Sequence, residues 1–213
     1  MKKMITAVVG LICLTLASLG FASADYASKE KGWHKGFYAL ANVGMMNIDK
    51  DTNVLTNRAF GSDIILGYGL TFGWNFLDFL AAELDMRYGS EKFNNQKEHA
   101  ANIDINVKYS LILNALTQWE KIRFLPYAKV GGGIFGAAVP DTSAGNDRFG
   151  VYGPSMNIGV GLETLILHYL YVGVDFTEHF VWLQSKSNSA GQKILNGGFD
   201  PQYSVFGHVG VHF

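Results

Sequence analysis

The chain has 213 residues, 17 basic and 18 acidic side chains and a formal net charge of −1, which excludes the strongly basic balance expected of a nucleic-acid partner. It carries 25 glycines and 14% aromatics against four prolines, a composition that favours many β-strands over helices or disorder. A single cysteine, Cys13, excludes a disulfide scaffold.

The first element is a targeting segment. Lys2 and Lys3 precede an apolar stretch from Ile5 to Leu19, and Ala22-Ser23-Ala24 supplies the small-x-small pattern of a cleavage site. This predicts a secretory signal peptide over 1–24 and a mature chain from Asp25 to Phe213. Removing Lys2 and Lys3 takes the basic count from 17 to 15 against 18 acids, a net charge of −3. The apolar run is short for a spanning helix of about 20 residues. Ile12 stands where a lipoprotein signal at Cys13 needs a small residue. No later apolar run is long enough for a transmembrane helix, so a mature chain that enters a membrane must do so as a closed barrel.

Eight period-two segments follow. The first directs Phe37, Ala39, Ala41, Val43 and Met45 to one side, and the second directs Ile64, Leu66, Tyr68, Leu70, Phe72 and Trp74. The third and fourth decide the reading. Leu80, Ala82, Leu84, Met86 and Tyr88 interleave with Ala81, Glu83, Asp85, Arg87 and Gly89; Ile103, Ile105, Val107, Tyr109 and Leu111 interleave with Asn102, Asp104, Asn106, Lys108 and Ser110. Strict alternation over ten residues is the pattern of a strand with one apolar face. The remaining segments place Ala128, Val130 and Ile134; Met156, Ile158, Val160 and Leu162; Leu170, Val172, Val174 and Phe176; and Tyr203, Val205, Val209, Val211 and Phe213 on the apolar side.

Alternation alone leaves open which face is outside, and a secreted barrel with an apolar interior shares it. Glycines and charges on the polar face suit a narrow, crowded lumen. Aromatics such as Phe37, Trp74 and Tyr88 near strand ends suit an interfacial girdle. Connections near 50–60, 90–99, 138–150 and 185–200 read as polar and mostly long, those near 75–78 and 166–168 as tight, and that near 114–121 as intermediate. Long outer loops alternating with short turns predict both termini on the periplasmic side.

The exported start, the Gly161-Leu162-Glu163 run and a last strand Ser204 to Phe213 ending on an aromatic resemble the small outer-membrane proteins with an OmpA- or OmpX-type transmembrane domain. The resemblance covers essentially the whole of 25–213. It implies an all-β, eight-stranded antiparallel up-and-down transmembrane barrel in the bacterial outer membrane, among lipid and lipopolysaccharide. It also implies that the last strand, through Tyr203, Val209, Val211 and Phe213, is read by the barrel-assembly machinery. The usual glycine near the end is one place off, at Gly207, with His208 in its slot. No peptidoglycan-binding domain is expected after the barrel.

The lumen side collects Asp63, Glu83, Asp85, Asp104, Glu163 and Asp175 with Arg87, Lys108 and Lys129. In so narrow an interior these predict a salt-bridge network that fills the lumen, in which Lys108 neutralises a carboxylate such as Asp104 or Glu83. The expected role is structural or surface-interacting, with outer loops contacting lipopolysaccharide or partner surfaces. A narrow channel and a lipid-A-modifying enzyme are the alternatives. Ser62, Asp63 and His99 near one rim allow a triad to be imagined, but no histidine has a His-x-Ser partner, and Asp25 to Lys35 lacks an apolar helical stripe. His208 and His212 share a face, yet four residues of strand hold them about 13 Å apart, too far for one metal. No catalytic group, cofactor or metal is expected.

Overall fold

The computed structural model describes residues 34–47, 64–93, 96–113, 122–140, 148–167, 169–184, 186–187, 193–195 and 198–213. The expected signal peptide, Asp63 and the imagined Ser62 site lie outside the described residues.

Strands β1 (Gly36–Asn47), β2 (Ile64–Leu77), β3 (Leu80–Phe93), β4 (Gln96–Ser110), β5 (Ile122–Pro140), β6 (Arg148–Ile166), β7 (Leu170–Leu183) and β10 (Gly198–His212) close into one barrel. Each pairs antiparallel with the next, and β10 pairs with β1 to close the ring. The short β8 (Lys186–Ser187) and β9 (Lys193–Leu195) form a separate ribbon between β7 and β10. Following register partners from Ile64 through Asn47, Tyr203, Glu178, Ile158, Val130, Val107 and Ala82 leads back to β2 at Trp74, ten residues from the start. A ten-residue stagger over eight strands tilts them by roughly 40°, within the ordinary range for a closed barrel.

Burial follows the period-two reading. In β2, Ile64, Leu66, Tyr68, Leu70, Phe72 and Trp74 are exposed on the outer wall while Ile65, Gly67, Thr71, Gly73 and Asn75 are buried. Two details differ from the sequence reading. The segment near 90–99 is not a long loop: β3 and β4 continue through it to the register pair Phe93 and Gln96. Its charges read as loop because Glu91, Lys92, Gln96, Lys97 and Glu98 put polar residues in both strand phases, so the sequence shows no alternation there. Leu111, expected with the outward set, is 4% exposed; β4 ends at Ser110, and the Leu111 amide donates to the Pro126 carbonyl at 2.8 Å.

The barrel interior is layered. At the end that carries Gly36 and Phe213, Tyr38, Leu40, Ala81, Leu125, Leu165 and Tyr171 pack as an apolar cluster. Charged and polar groups fill the middle. Toward the opposite rim the inward positions turn apolar again, with Ile65, Phe135, Ala137, Val181 and Leu183 all buried.

Candidate functional site: the lumen charge lattice

Alternation on the strands delivers the lumen groups, and stagger decides which of them meet. Lys108 on β4 and Lys129 on β5 are register partners, as are Asp85 on β3 and Asp104 on β4. Like charges side by side would destabilise the wall, so each pair diverges along the axis. Lys108 reaches toward Glu83 and Glu163, whereas Lys129 reaches toward Asp85 and Asp175.

In the first tier, Lys108 Nζ lies 2.8 Å from Glu83 Oε1 and donates to both Glu163 oxygens at 3.0 and 3.1 Å. It sits between the Tyr38 and Tyr127 rings, 4.6 and 4.9 Å from their centroids. The Tyr38 hydroxyl donates to Glu83, and His208 Nε2 stands 3.4 Å from Glu163. Every polar direction around the ammonium is met by a carboxylate or a ring face, which is what a fully desolvated cation requires.

The second tier centres on Asp85. It accepts from Thr71 Oγ1 at 2.5 Å and from Asn106 Nδ2 and Lys129 Nζ at 2.9 Å, with Arg87 at 3.6 Å. Arg87 Nη2 donates to both oxygens of Asp175, its Nη1 donates to Ser204 Oγ at 2.8 Å, and the guanidinium lies 4.6 Å over the Phe206 ring. Asp104 belongs to a third tier. It accepts from Asn102 Nδ2 at 2.7 Å and Ser155 Oγ at 3.2 Å and faces His179 Nδ1 at 3.6 Å. Of the two partners expected for Lys108, Glu83 is one and Asp104 is not; the second carboxylate is Glu163. The stagger that separates the tiers was not readable without the register.

The lattice also uses residues outside the predicted charge network: Tyr38, Tyr127, Thr71, Asn106, Ser155, His179, Ser204 and Phe206. Three of them follow one rule. Tyr38 is register partner to Gly73, Tyr127 to Gly161 and Phe206 to Gly44. A Cβ on any of the three glycines would collide with the partner ring. The missing side chain lets each ring lie flat on the neighbouring strand and turn its face to a lumen cation. The Gly161-Leu162-Glu163 run thus has a local physical content: Gly161 seats Tyr127, and Glu163 receives Lys108.

His34 covers the lumen at the end of β1. Its Nδ1 donates to the Asp78 carbonyl at 2.6 Å, and its ring stacks on His212 at 6.2 Å. Burial, with the Lys108 charge next, lowers the imidazole from its ordinary range to about 4; the Asp78 hydrogen bond and the Glu163 charge pull less strongly the other way. His208 and His212 both lie on β10, and among the described residues no group of three or more His, Cys, Asp or Glu could hold a metal ion. Tyr203, Val209, Val211 and Phe213 face outward, with Phe213 76% exposed, and the Phe213 amide donates to the Phe37 carbonyl across the closing seam.

The outer wall is the other half of the site. Leu66, Leu70, Phe72, Trp74, Ile103, Ile105, Val107, Val130, Ile134, Val174 and Val209 are each 47–69% exposed around the barrel. A continuous apolar belt of this extent is not a water-facing surface. No family model matches the chain, and no curated protein matches it. Solved structures do. Neisserial surface protein A superposes with a TM-score of 0.59 at 14% identity, over 84% of this chain and 97% of that one. This is the fold of the small eight-stranded outer-membrane barrels. The N-terminal β-barrel domain of Pseudomonas aeruginosa OprF matches at 15% identity over 84% and 98% of the two chains, with a TM-score of 0.45. Ail of Yersinia pestis matches at 10% over 84% and 99%, also with 0.45. At these identities the likeness concerns architecture only.

Proposed function

We propose that this protein is a non-conducting structural and surface-interaction barrel of the outer membrane, with both termini in the periplasm and its outer connections meeting lipopolysaccharide or partner surfaces. One observation carries the reading: among the described residues, the charged side chains of the lumen are buried from water. Lys108, Asp104, Asn106, Glu163 and Phe135 are each 1% exposed, and Lys129 4%. A pore with a continuous water column would leave its charged lining wet. An enzyme would need a nucleophile or acid–base pair open to substrate, and the charged groups here face one another inside the wall. Neisserial surface protein A, whose fold this chain shares, is by its name a surface protein, in line with that role.

Planar-bilayer recording tests it. The folded protein should give no steady conductance steps; steps abolished by a bulky lumen substitution would make it a channel instead. Lipid A from a deletion strain should be chemically unchanged by mass spectrometry; a lost modification would make it an enzyme. The last strand carries the assembly proposal. Deleting Phe213 should lower the yield of heat-modifiable barrel in cells while sparing folding into detergent, and equal cellular yields would remove that role.

A further inference from the structure

The lattice holds five carboxylates, Glu83, Asp85, Asp104, Glu163 and Asp175, against three fixed cations, Arg87, Lys108 and Lys129, and none of these side chains is more than 4% exposed. The unmatched carboxylate is Asp104. Lys108 is held by Glu83 and Glu163, while Lys129 and Arg87 are held by Asp85 and Asp175. Among the described residues no lysine or arginine forms an ion pair with Asp104. Its neighbours are two neutral donors, Asn102 and Ser155, and the His179 ring. A buried carboxylate so placed takes up a proton or a cation.

The side chains around it also lack partners. Asn157, 2% exposed, makes no hydrogen bond at either amide atom, and Asn106 Oδ1 and His179 Nδ1 are buried without one. Register brings these groups together. Asn106, Gly131, Asn157 and His179 are successive partners across β4 to β7, and in the next inward row Asp104, Gly133 and Ser155 are successive partners. Glycine clears the middle of both rows: a Cβ at Gly131 would strike Asn106 Oδ1, and one at Gly133 would strike Asp104 Oδ1. Asn106 Nδ2 donates to Asp85, so the atom left over the glycine is an acceptor. Asn106 and Asn157 thus flank bare backbone, yet neither bonds the other. A proton on Asp104 would satisfy one acceptor and leave the amide oxygens unmet, whereas a cation meets several at once. We infer that Asp104, Asn106 and Asn157 hold one small hard cation over Gly131 and Gly133, with the His179 ring beside it. One carboxylate and two amide oxygens are donors suited to Na⁺ or Ca²⁺ rather than to a thiolate- or imidazole-seeking metal. The site depends on the closed lumen and not on what the outer connections meet, so it goes beyond the proposed structural role.

Urea unfolding of the barrel folded in a non-ionic detergent tests it, with sodium, calcium and choline chloride exchanged at constant ionic strength. The expected result is a folding constant that rises about tenfold for each tenfold rise in Na⁺ or Ca²⁺ beyond half-saturation, and that choline leaves unchanged. Which of the two ions acts gives the charge the site takes. Asp104→Asn should abolish the dependence. Asn157→Ala removes a side chain with no hydrogen bond to lose, and should raise the ion concentration needed by about tenfold. A purely structural asparagine there would leave that concentration unchanged. Asn157→Asp adds a charge to the same donor set and should lower the Ca²⁺ concentration needed by about tenfold, and it serves should Asp104→Asn fail the heat-modifiability check. Equal folding constants in all three salts overturn the proposal, since a proton or water would then satisfy these groups. An ion dependence that stays the same in every variant that folds overturns it as well, because the ion would bind elsewhere.

Discussion

Val107 and Lys108 are adjacent on β4, yet they live in opposite media. Val107 is 49% exposed on the outer wall, and Lys108 is 1% exposed with two carboxylates and two aromatic rings around its ammonium. The difference teaches how one strand can satisfy two solvents. The outer wall needs only apolarity, so many side chains serve there. The inner wall needs each charge matched at one point in space, because an unmatched ion in the lumen has neither water nor a counter-ion to turn to.

The largest effect should come from breaking the inner match. Lys108→Ala leaves Glu83 and Glu163 facing each other without a cation and should destabilise the barrel by about 3–5 kcal/mol in urea unfolding. Adding Glu163→Gln should recover part of that loss. Next in size is Val107→Arg, which should cost roughly 2–4 kcal/mol by placing a charge in the apolar layer. No acid substitution in the lumen should rescue it, and this contrast between neighbours separates the two faces. A rescue of Val107→Arg by Glu163→Gln would mean that the faces communicate, which the geometry does not allow.

A smaller effect probes how the inner match is built. Gly161→Ala should cost about 1–3 kcal/mol, because the new methyl displaces the Tyr127 ring from the face it offers Lys108. The same change at Gly207, where a Cβ meets nothing closer than 3.8 Å, should be nearly neutral. Equal costs at the two glycines would reduce the ring-on-glycine rule to a general strand effect.

The smallest effect is a pH dependence at the lumen's end. His34 is a base whose folded pKa lies below its unfolded value, so the unfolded chain binds the proton more readily. Its contribution to stability is therefore complete above about pH 6.5 and is lost as pH falls toward about 4. Between pH 7 and pH 5.5 the wild type should lose about 1 kcal/mol more than His34→Gln. Parallel stability curves for the two proteins would contradict the buried neutral imidazole.

Strand number, phase and the identity of the outward residues were legible in the sequence because alternation is a property of each strand alone. The partners of the lumen charges were not. Asp104 and Glu83 look equivalent from the pattern, and only the ten-residue stagger sends one to Ser155 and His179 and the other to Lys108 and Tyr38. Stagger is a closure property of the whole ring and leaves no local mark. The apolar layers at both ends of the lumen escaped for a related reason. Leu125, Phe135 and Val181 sit in strand stretches where both faces are apolar, so no alternation flags the inward one. The β3–β4 hairpin failed in the reverse sense, its sequence being polar in both strand phases.

The most direct test of charge-in, apolar-out is a nitroxide scan of residues 102–109 on the barrel refolded into phospholipid vesicles. Collision with oxygen, which dissolves in the apolar layer, should be high at 103, 105 and 107, with collision with a water-soluble nickel chelate low at those positions. Both should be low at 102, 104, 106 and 108. High nickel-chelate collision at 103, 105 and 107 would put the apolar face in water and contradict the account.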